Sequence, residues 1–172
     1  SFRTYPPTIV RGNASEIIAL DAMWGLDRGA SSVSGTRPAG VESVDDVDAA
    51  ADAAKRLARH LAKHSPTGTG AVAVSGAVDL VTDGEHVLRL PGGSAMMTKI
   101  TGAGCSLGGV TATYLAVAEP FVAAVSAALL YNRASETAEK SSKGPGSFQT
   151  ALLDALWNTT ARQVADSDIL LG

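Results

Sequence analysis

Short apolar segments alternate with longer helical patterns along this chain, and the alternation constrains the fold more than any other feature. Residues 8–10 and 71–74 are apolar runs of strand length, and each is followed by a turn residue. Strands that alternate with helices favour an α/β fold, with parallel strands joined by helical crossovers. Helices are predicted at residues 14–20, 44–64, 106–118, 121–140 and 147–164, a hairpin at 79–90, and a loop at 25–40.

The composition is that of an ordinary globular protein. The chain has 172 residues, of which 45% are hydrophobic and 18% charged, and this suits a single domain over residues 1–172. A net charge of −3 and dispersed basic residues argue against a nucleic-acid binder. The single cysteine favours a reducing, cytoplasmic setting. The longest apolar stretch is interrupted by Glu119 and Pro120, so we expect no membrane association.

The stretch from Thr98 to Cys105 is the strongest candidate for a site. Gly102 and Gly104 precede the single cysteine, and a helical segment follows. Glycines let a backbone approach a ligand closely, and the first N–H groups of a helix attract anions. The same field would favour the thiolate of Cys105. The pattern is typical of a phosphate-binding loop, but also of a glycine turn before a core helix with a buried, inert cysteine.

A second candidate lies where the first strand leads into the first helix. Asn13 and Glu16 have the spacing of a capping box, in which case Arg11 would be an ordinary surface charge. Ligands of doubly wound sheets also gather at the carboxyl ends of strands. There, Glu16 would be suited to hold Mg²⁺ and Arg11 to bind phosphate oxygens.

A third candidate is the turn at residues 143–148, which contains two glycines, a proline and Lys143. It could close over a nucleotide, or it could merely cap the last predicted helix at Ser147. The residues alone leave both possibilities open.

Taken together, four segments in this order resemble the hydroxyethylthiazole kinase family of the ribokinase-like superfamily. They are residues 11–17 (RGNASEI), 74–79 (VSGAVD), 97–105 (MTKITGAGC) and 144–148 (GPGSF). The resemblance implies a ribokinase-like fold, a mostly parallel sheet flanked by helices. It implies phosphorylation of the hydroxyl of 4-methyl-5-(2-hydroxyethyl)thiazole by ATP and Mg²⁺ in thiamine salvage. It also implies a homotrimer with active sites at subunit contacts.

The resemblance assigns roles to residues in three of these four segments. Arg11 and Ser75 take the positions that contact nucleotide phosphates, and Asn13 and Glu16 take those of a metal-associated motif.

In the segment at residues 97–105, Gly102, Ala103 and Gly104 correspond to the phosphate-binding loop of the family, and Gly102 also corresponds to a residue on the substrate side. Cys105 falls beside the substrate hydroxyl, where most ribokinase-like relatives carry aspartate. A thiolate there can accept the proton of the alcohol as the new O–P bond forms.

The match also departs from the family, because family members carry a substantial N-terminal portion before the strand that leads to Arg11. We therefore expect this chain to be a C-terminal portion of the fold, either one piece of a split or cleaved kinase or a chain whose pocket is completed by another chain, and to need the N-terminal part for turnover. The alternatives are a hydroxymethylpyrimidine (phosphate) kinase, a relative that also places cysteine after its glycine loop, and a non-catalytic nucleotide- or thiazole-binding remnant.

Overall fold

A computed structural model describes residues 2–26 and 44–172 of the chain. The chain divides into two compact units, residues 1–87 and residues 88–172. Most of the loop predicted at residues 25–40 lies outside the described residues.

In the first unit, a parallel strand pair is joined through two helices. Strand β1 (Ile9–Asn13) leads into helix α1 (Ala14–Trp24), and helix α2 (Val44–His64) precedes strand β2 (Ala71–Ser75). Strands β1 and β2 pair in parallel, with Asn13 opposite Ser75. A parallel pair requires a long crossover connection, and this one contains both helices.

The core of the first unit forms where these helices cover the strands. Ile17 and Trp24 of α1 belong to one cluster of buried side chains with Leu57 and Leu61 of α2 and Val72 of β2. Apolar residues of α1 and α2 therefore bury one face of each helix, as the helical patterns predict.

The third strand of this unit, β3 (Asp79–Thr82), pairs antiparallel to β2. Only residues 76–78 connect the two strands, which is too short for a crossover, and the Gly76 N–H donates to Asp79 Oδ1 at 3.0 Å. The predicted α/β class is confirmed, and among the described residues the sheet is mixed because of this short connection.

The second unit is organised around one long helix. Strand β4 (Val87–Leu90), of which residues 88–90 belong to this unit, pairs antiparallel with β5 (Leu170–Leu171). Helices α3 and α5 both pack against α4. The helical elements are a 3-10 helix (Ala95–Lys99), α3 (Ala103–Leu115), α4 (Pro120–Ser141), α5 (Pro145–Asn158) and α6 (Ala161–Ala165). Within the described ranges, no helix is both long enough and apolar enough to cross a membrane.

Several helix boundaries differ from the prediction. Helix α3 begins three residues earlier than the sequence suggests, so Gly104 and Cys105 lie in its first turn. The last predicted helix is divided into α5 and α6, because Thr160 caps a new helix through a capping box with Gln163.

Candidate active-site residues

Arg11 and Ser75 meet at the carboxyl ends of two neighbouring parallel strands. Arg11 Nη2 donates to Ser75 Oγ at 3.3 Å, and both residues are half-buried. Anionic ligands of α/β sheets bind at this edge. The structure thus brings the predicted arginine and hydroxyl together where a phosphate group can reach both.

Asn13 and Glu16 form the capping box of helix α1. The Glu16 N–H donates to Asn13 Oδ1 at 2.9 Å, and the Asn13 N–H donates to Glu16 Oε2 at 2.8 Å. A Cβ atom at Gly12 would lie 3.0 Å from Glu16 Oε2, so the glycine makes room for the carboxylate. The capping interpretation of this motif is confirmed.

A cation role for Glu16 remains chemically compatible with this geometry. Glu16 is exposed, and its second oxygen, Oε1, takes no part in the capping box. In the part of the chain that the structure describes, no group of three His, Cys, Asp or Glu side chains is arranged to hold a metal ion. Mg²⁺ is commonly bound by one or two carboxylates together with substrate phosphates and water. The residues present fit that mode of binding.

Gly102 is the N-cap residue of helix α3, and its φ of 87° lies in the left-handed region that favours glycine. Ala103, Gly104 and Cys105 form the first helical turn, which receives no side-chain hydrogen bond from its cap residue. Cys105 is exposed. The alternative interpretation, a cysteine buried in the core, is therefore wrong.

The turn at residues 143–148 begins helix α5. Gly144 is its N-cap and Pro145 occupies the first helical position, where a missing N–H costs nothing. Ser147 Oγ accepts from the Lys143 N–H at 2.9 Å, and Phe148 is fully buried. The helix begins two residues before the predicted cap at Ser147, and closure of this turn over a nucleotide stays a prediction.

Sequence reasoning missed the polar side chains of α4 that contact the two ends of the segment at residues 93–106. Tyr131 Oη hydrogen-bonds to Ser106 Oγ, while Ser135 and Glu136 accept backbone N–H groups at residues 93–94. A signal was available, since these polar residues interrupt a helix whose other buried positions are largely alanine.

The described residues thus show two local groupings. Arg11 with Ser75, and Asn13 with Glu16, lie at the carboxyl edge of the strand pair in the first unit. The left-handed cap and the exposed cysteine at residues 102–105 begin α3 in the second unit.

The fold places the chain in the α/β class, with a parallel strand pair covered by helices. The solved structure of hydroxyethylthiazole kinase from Pyrococcus horikoshii matches with a TM-score of 0.76, at 25% identity, over 99% of this chain and 57% of that one. The sequence model of the hydroxyethylthiazole kinase family matches residues 2–162. This chain belongs to the hydroxyethylthiazole kinase family.

Two relatives show how much of such proteins the chain represents. A hydroxyethylthiazole kinase of Bifidobacterium adolescentis is 81% identical over 170 residues, which are 99% of this chain and 58% of the relative. One of Clavibacter sepedonicus is 45% identical over 95% of this chain and 54% of the relative. The chain therefore spans little more than half the length of these curated relatives.

Proposed function

We propose that this chain carries the nucleotide-phosphate and acceptor-hydroxyl residues of a hydroxyethylthiazole kinase. The reaction transfers the γ-phosphoryl group of ATP to the hydroxyl of 4-methyl-5-(2-hydroxyethyl)thiazole, a step of thiamine salvage. The observation that carries the proposal is the exposed Cys105 in the first turn of a helix that begins at a left-handed glycine. The name of the Bifidobacterium adolescentis relative supports the same substrate.

Arg11 and Ser75 are assigned to the phosphates of ATP. Phosphoryl transfer depends mainly on positioning and on neutralising negative charge, and a guanidinium does both for phosphate oxygens. The hydrogen bond from Arg11 to Ser75 holds the guanidinium at the carboxyl edge of the strands, where the phosphates would lie. Gly102, Ala103 and Gly104 are assigned to the transferring phosphoryl group, because a helix N-terminus stabilises the charge that develops there.

Glu16 is the residue assigned to Mg²⁺, with Asn13 as the residue that orients its carboxylate through the capping box. When bound with the nucleotide, Mg²⁺ supplies positive charge to the phosphate oxygens during transfer. The exposed position of Glu16 allows its remaining oxygen to take part directly or through water.

Cys105 is assigned to the acceptor hydroxyl, with Gly102 beside it on the substrate side. Its sulfur takes the proton of the alcohol as the O–P bond forms, and the proton returns to solvent after product release. Because the transition state is loose, the hydroxyl loses its proton late, and a weak base is sufficient.

We also infer that turnover needs the part of the family's length that this chain does not span, from a separate polypeptide or as a longer chain. An open apolar groove of about 500 Å³ in the first unit supports this, because exposed apolar patches mark contact surfaces. Phe2 and Met23 in its wall are 78% and 70% exposed. The active form is proposed to be a cytoplasmic homotrimer in which residues 1–172 belong to one domain.

The direct test compares two alcohols as substrates. Purified protein, with and without the complementary part, is incubated with ATP, Mg²⁺ and either hydroxyethylthiazole or hydroxymethylpyrimidine, and the phosphorylated product is identified by mass spectrometry. Phosphorylation of the thiazole alcohol is the expected result. A preference for the pyrimidine would contradict the substrate, and ATP binding without turnover of either would favour a non-catalytic binding protein.

A further inference from the structure

We propose that Tyr131, acting through Ser106, positions the first turn of α3, which carries Cys105, for phosphoryl transfer. The inference rests on the proposed function, in which Cys105 contacts the acceptor alcohol. Tyr131 is a positioning residue: its hydroxyl contacts Ser106, and neither residue is assigned to the substrate.

Ser106 joins the cap residue, the first turn and the long helix α4. Its N–H donates to the Gly102 carbonyl at 2.9 Å, which is the first backbone hydrogen bond of α3. Its hydroxyl lies 2.9 Å from the same carbonyl and 3.1 Å from that of Ala103, and it also contacts Tyr131 Oη. A serine hydroxyl has a single proton to donate. When that proton goes to a backbone carbonyl, Tyr131 donates to Ser106 Oγ.

The position of the Tyr131 hydroxyl is fixed by burial of its ring. Tyr131 is 1% exposed and belongs to a cluster with Phe148 and Leu152 of α5. A buried tyrosine hydroxyl needs a hydrogen-bond partner, and a packed ring leaves it little freedom to choose another. The rigid core of this unit thereby fixes the place of Ser106, the residue next to Cys105.

This anchor compensates for a missing helix cap. Most helices receive a side-chain hydrogen bond from an N-cap serine, threonine, aspartate or asparagine. Gly102 has no side chain that could make such a bond. Most other residues would be strained in its left-handed conformation. The Tyr131–Ser106 contact stabilises the same turn from the side, and it leaves the end of the helix open to a ligand.

Helix α4 also holds the other end of the segment that leads to this turn. Ser135 lies one turn after Tyr131, is fully buried, and accepts the Ser94 N–H at 3.0 Å. Glu136 Oε1 accepts the Gly93 N–H at 2.9 Å. A Cβ atom at Gly93 would lie 2.8 Å from Asn132 Oδ1, so only glycine allows this close approach. One helix therefore fixes both ends of the segment at residues 93–106.

The first test measures the order of the turn without using enzyme activity. Hydrogen exchange of the 172-residue chain is followed by mass spectrometry in the Tyr131→Phe and Ser106→Ala variants and in the double variant. Loss of one hydrogen bond, a net contribution of about 1 kcal/mol, raises exchange of the first hydrogen-bonded amides of α3, beginning with that of Ser106, about fivefold. Both single variants show this increase, and the double variant shows no further increase, because the two hydroxyls form one contact.

Thr113→Ala is the matched control. Its hydroxyl donates to the Gly109 carbonyl at 3.0 Å, a bond of the same kind later in α3. Exchange at residues 102–107 stays at the wild-type rate in this control, and exchange in α5 stays unchanged in all variants. Unchanged exchange at residues 102–107 in Tyr131→Phe, or a uniform increase along the chain, overturns the proposal.

The second test connects the turn to catalysis. In enzyme that phosphorylates the thiazole alcohol, Tyr131→Phe and Ser106→Ala lower kcat about tenfold, and the KM for ATP stays unchanged, because a misplaced acceptor residue affects the transition state. Ser106→Thr retains the hydroxyl and restores most of kcat. Wild-type kcat in both truncated variants overturns the proposal even if exchange rises. Absence of thiazole phosphorylation in the wild-type enzyme instead refutes the proposed function. In that case the hydrogen-exchange result by itself decides whether the Tyr131–Ser106 contact holds the first turn of α3.

Discussion

Cys105 presents its thiol at the start of α3, where the proposed mechanism requires a proton acceptor for the alcohol. Replacing it with serine removes the thiol but keeps the side-chain shape, and we expect kcat to fall about 100-fold with little change in KM. Cys105→Asp keeps a proton acceptor and should retain activity. Steady-state assays of thiazole phosphorylation test both variants, and a wild-type rate in Cys105→Ser would leave the cysteine a positional role only.

Arg11 contributes positive charge at the carboxyl edge of β1 and β2. Arg11→Met preserves most of the side-chain volume and removes the charge, so we expect kcat/KM for ATP to fall about 10- to 100-fold, as for loss of one charge-assisted hydrogen bond. Arg162→Met is the matched control, because the Arg162 side chain is 92% exposed and its Nε lies 4.0 Å from Asp166 Oδ2. Equal effects of the two substitutions would show that the loss of net charge, and not phosphate contact, explains the result.

At the scale of elements, helices α1 and α2 are joined by a bidentate ion pair. Arg56 Nη2 lies 2.6 Å from Asp21 Oδ2, and the aspartate side chain is only 3% exposed while that of the arginine is 31% exposed. Arg56→Met leaves a buried carboxylate without this partner and should lower the free energy of unfolding by about 3 kcal/mol. Asp21→Ala should cost less, since water can solvate the remaining guanidinium. Urea unfolding measures both changes, and a larger loss in Asp21→Ala would contradict this asymmetry.

The stability of the turn between β3 and β4 is expected to depend on pH, because Asp83 and His86 form an ion pair there. Burial raises the pKa of Asp83, but hydrogen bonds from the His86 side chain and from the backbone of residues 85–86 outweigh it, so this pKa is lowered. The hydrogen bond to Asp83 raises the pKa of His86 above 6.5. The stabilisation of the folded protein by His86 is complete below about pH 6.5 and is lost as pH rises through the raised pKa of this residue. The stabilisation by Asp83 is lost as pH falls through its lowered pKa.

We therefore expect His86→Gln to lower Tm more at pH 6 than at pH 9. Thermal unfolding at several pH values measures the difference between the variant and the wild type. A difference in Tm that does not change with pH would show that the ion pair contributes nothing to stability.

At the scale of the whole molecule, the 172-residue chain spans 58% of its Bifidobacterium adolescentis relative. We expect the chain alone to bind ATP but not to phosphorylate the thiazole alcohol, and to gain activity when the complementary part is added. The substitution Met23→Lys, in the wall of the apolar groove, should weaken that complementation, because it places a charge in an apolar contact. Steady turnover by the unaided chain would contradict this expectation.

The elements that the sequence predicted well are those with complete local signals. Helix α2 has the predicted bounds of residues 44–64, and the Asn13–Glu16 capping box begins α1 as its spacing indicates. Arg11 and Ser75 each follow a predicted apolar strand, and the parallel register of β1 and β2 brings them into contact at one edge of the sheet. Periodicity, caps and strand order are encoded by neighbouring residues, so they can be read without knowledge of the fold.

Tertiary contacts decided the remaining features. Glycine is a poor helix former, so the sequence gives no reason to begin α3 before residue 106. The helix nevertheless begins at Ala103, where the hydroxyls of Ser106 and Tyr131, 25 residues apart, hold its first turn. The two-residue strand β5 is formed by its pairing with β4, about 80 residues earlier in the chain. By itself the sequence determined the helix and strand patterns around the proposed site residues, because periodicity and caps are encoded locally. The placement of the first turn of α3 depends on the packed side chains of α4, since contacts between distant residues are made only when the core is formed.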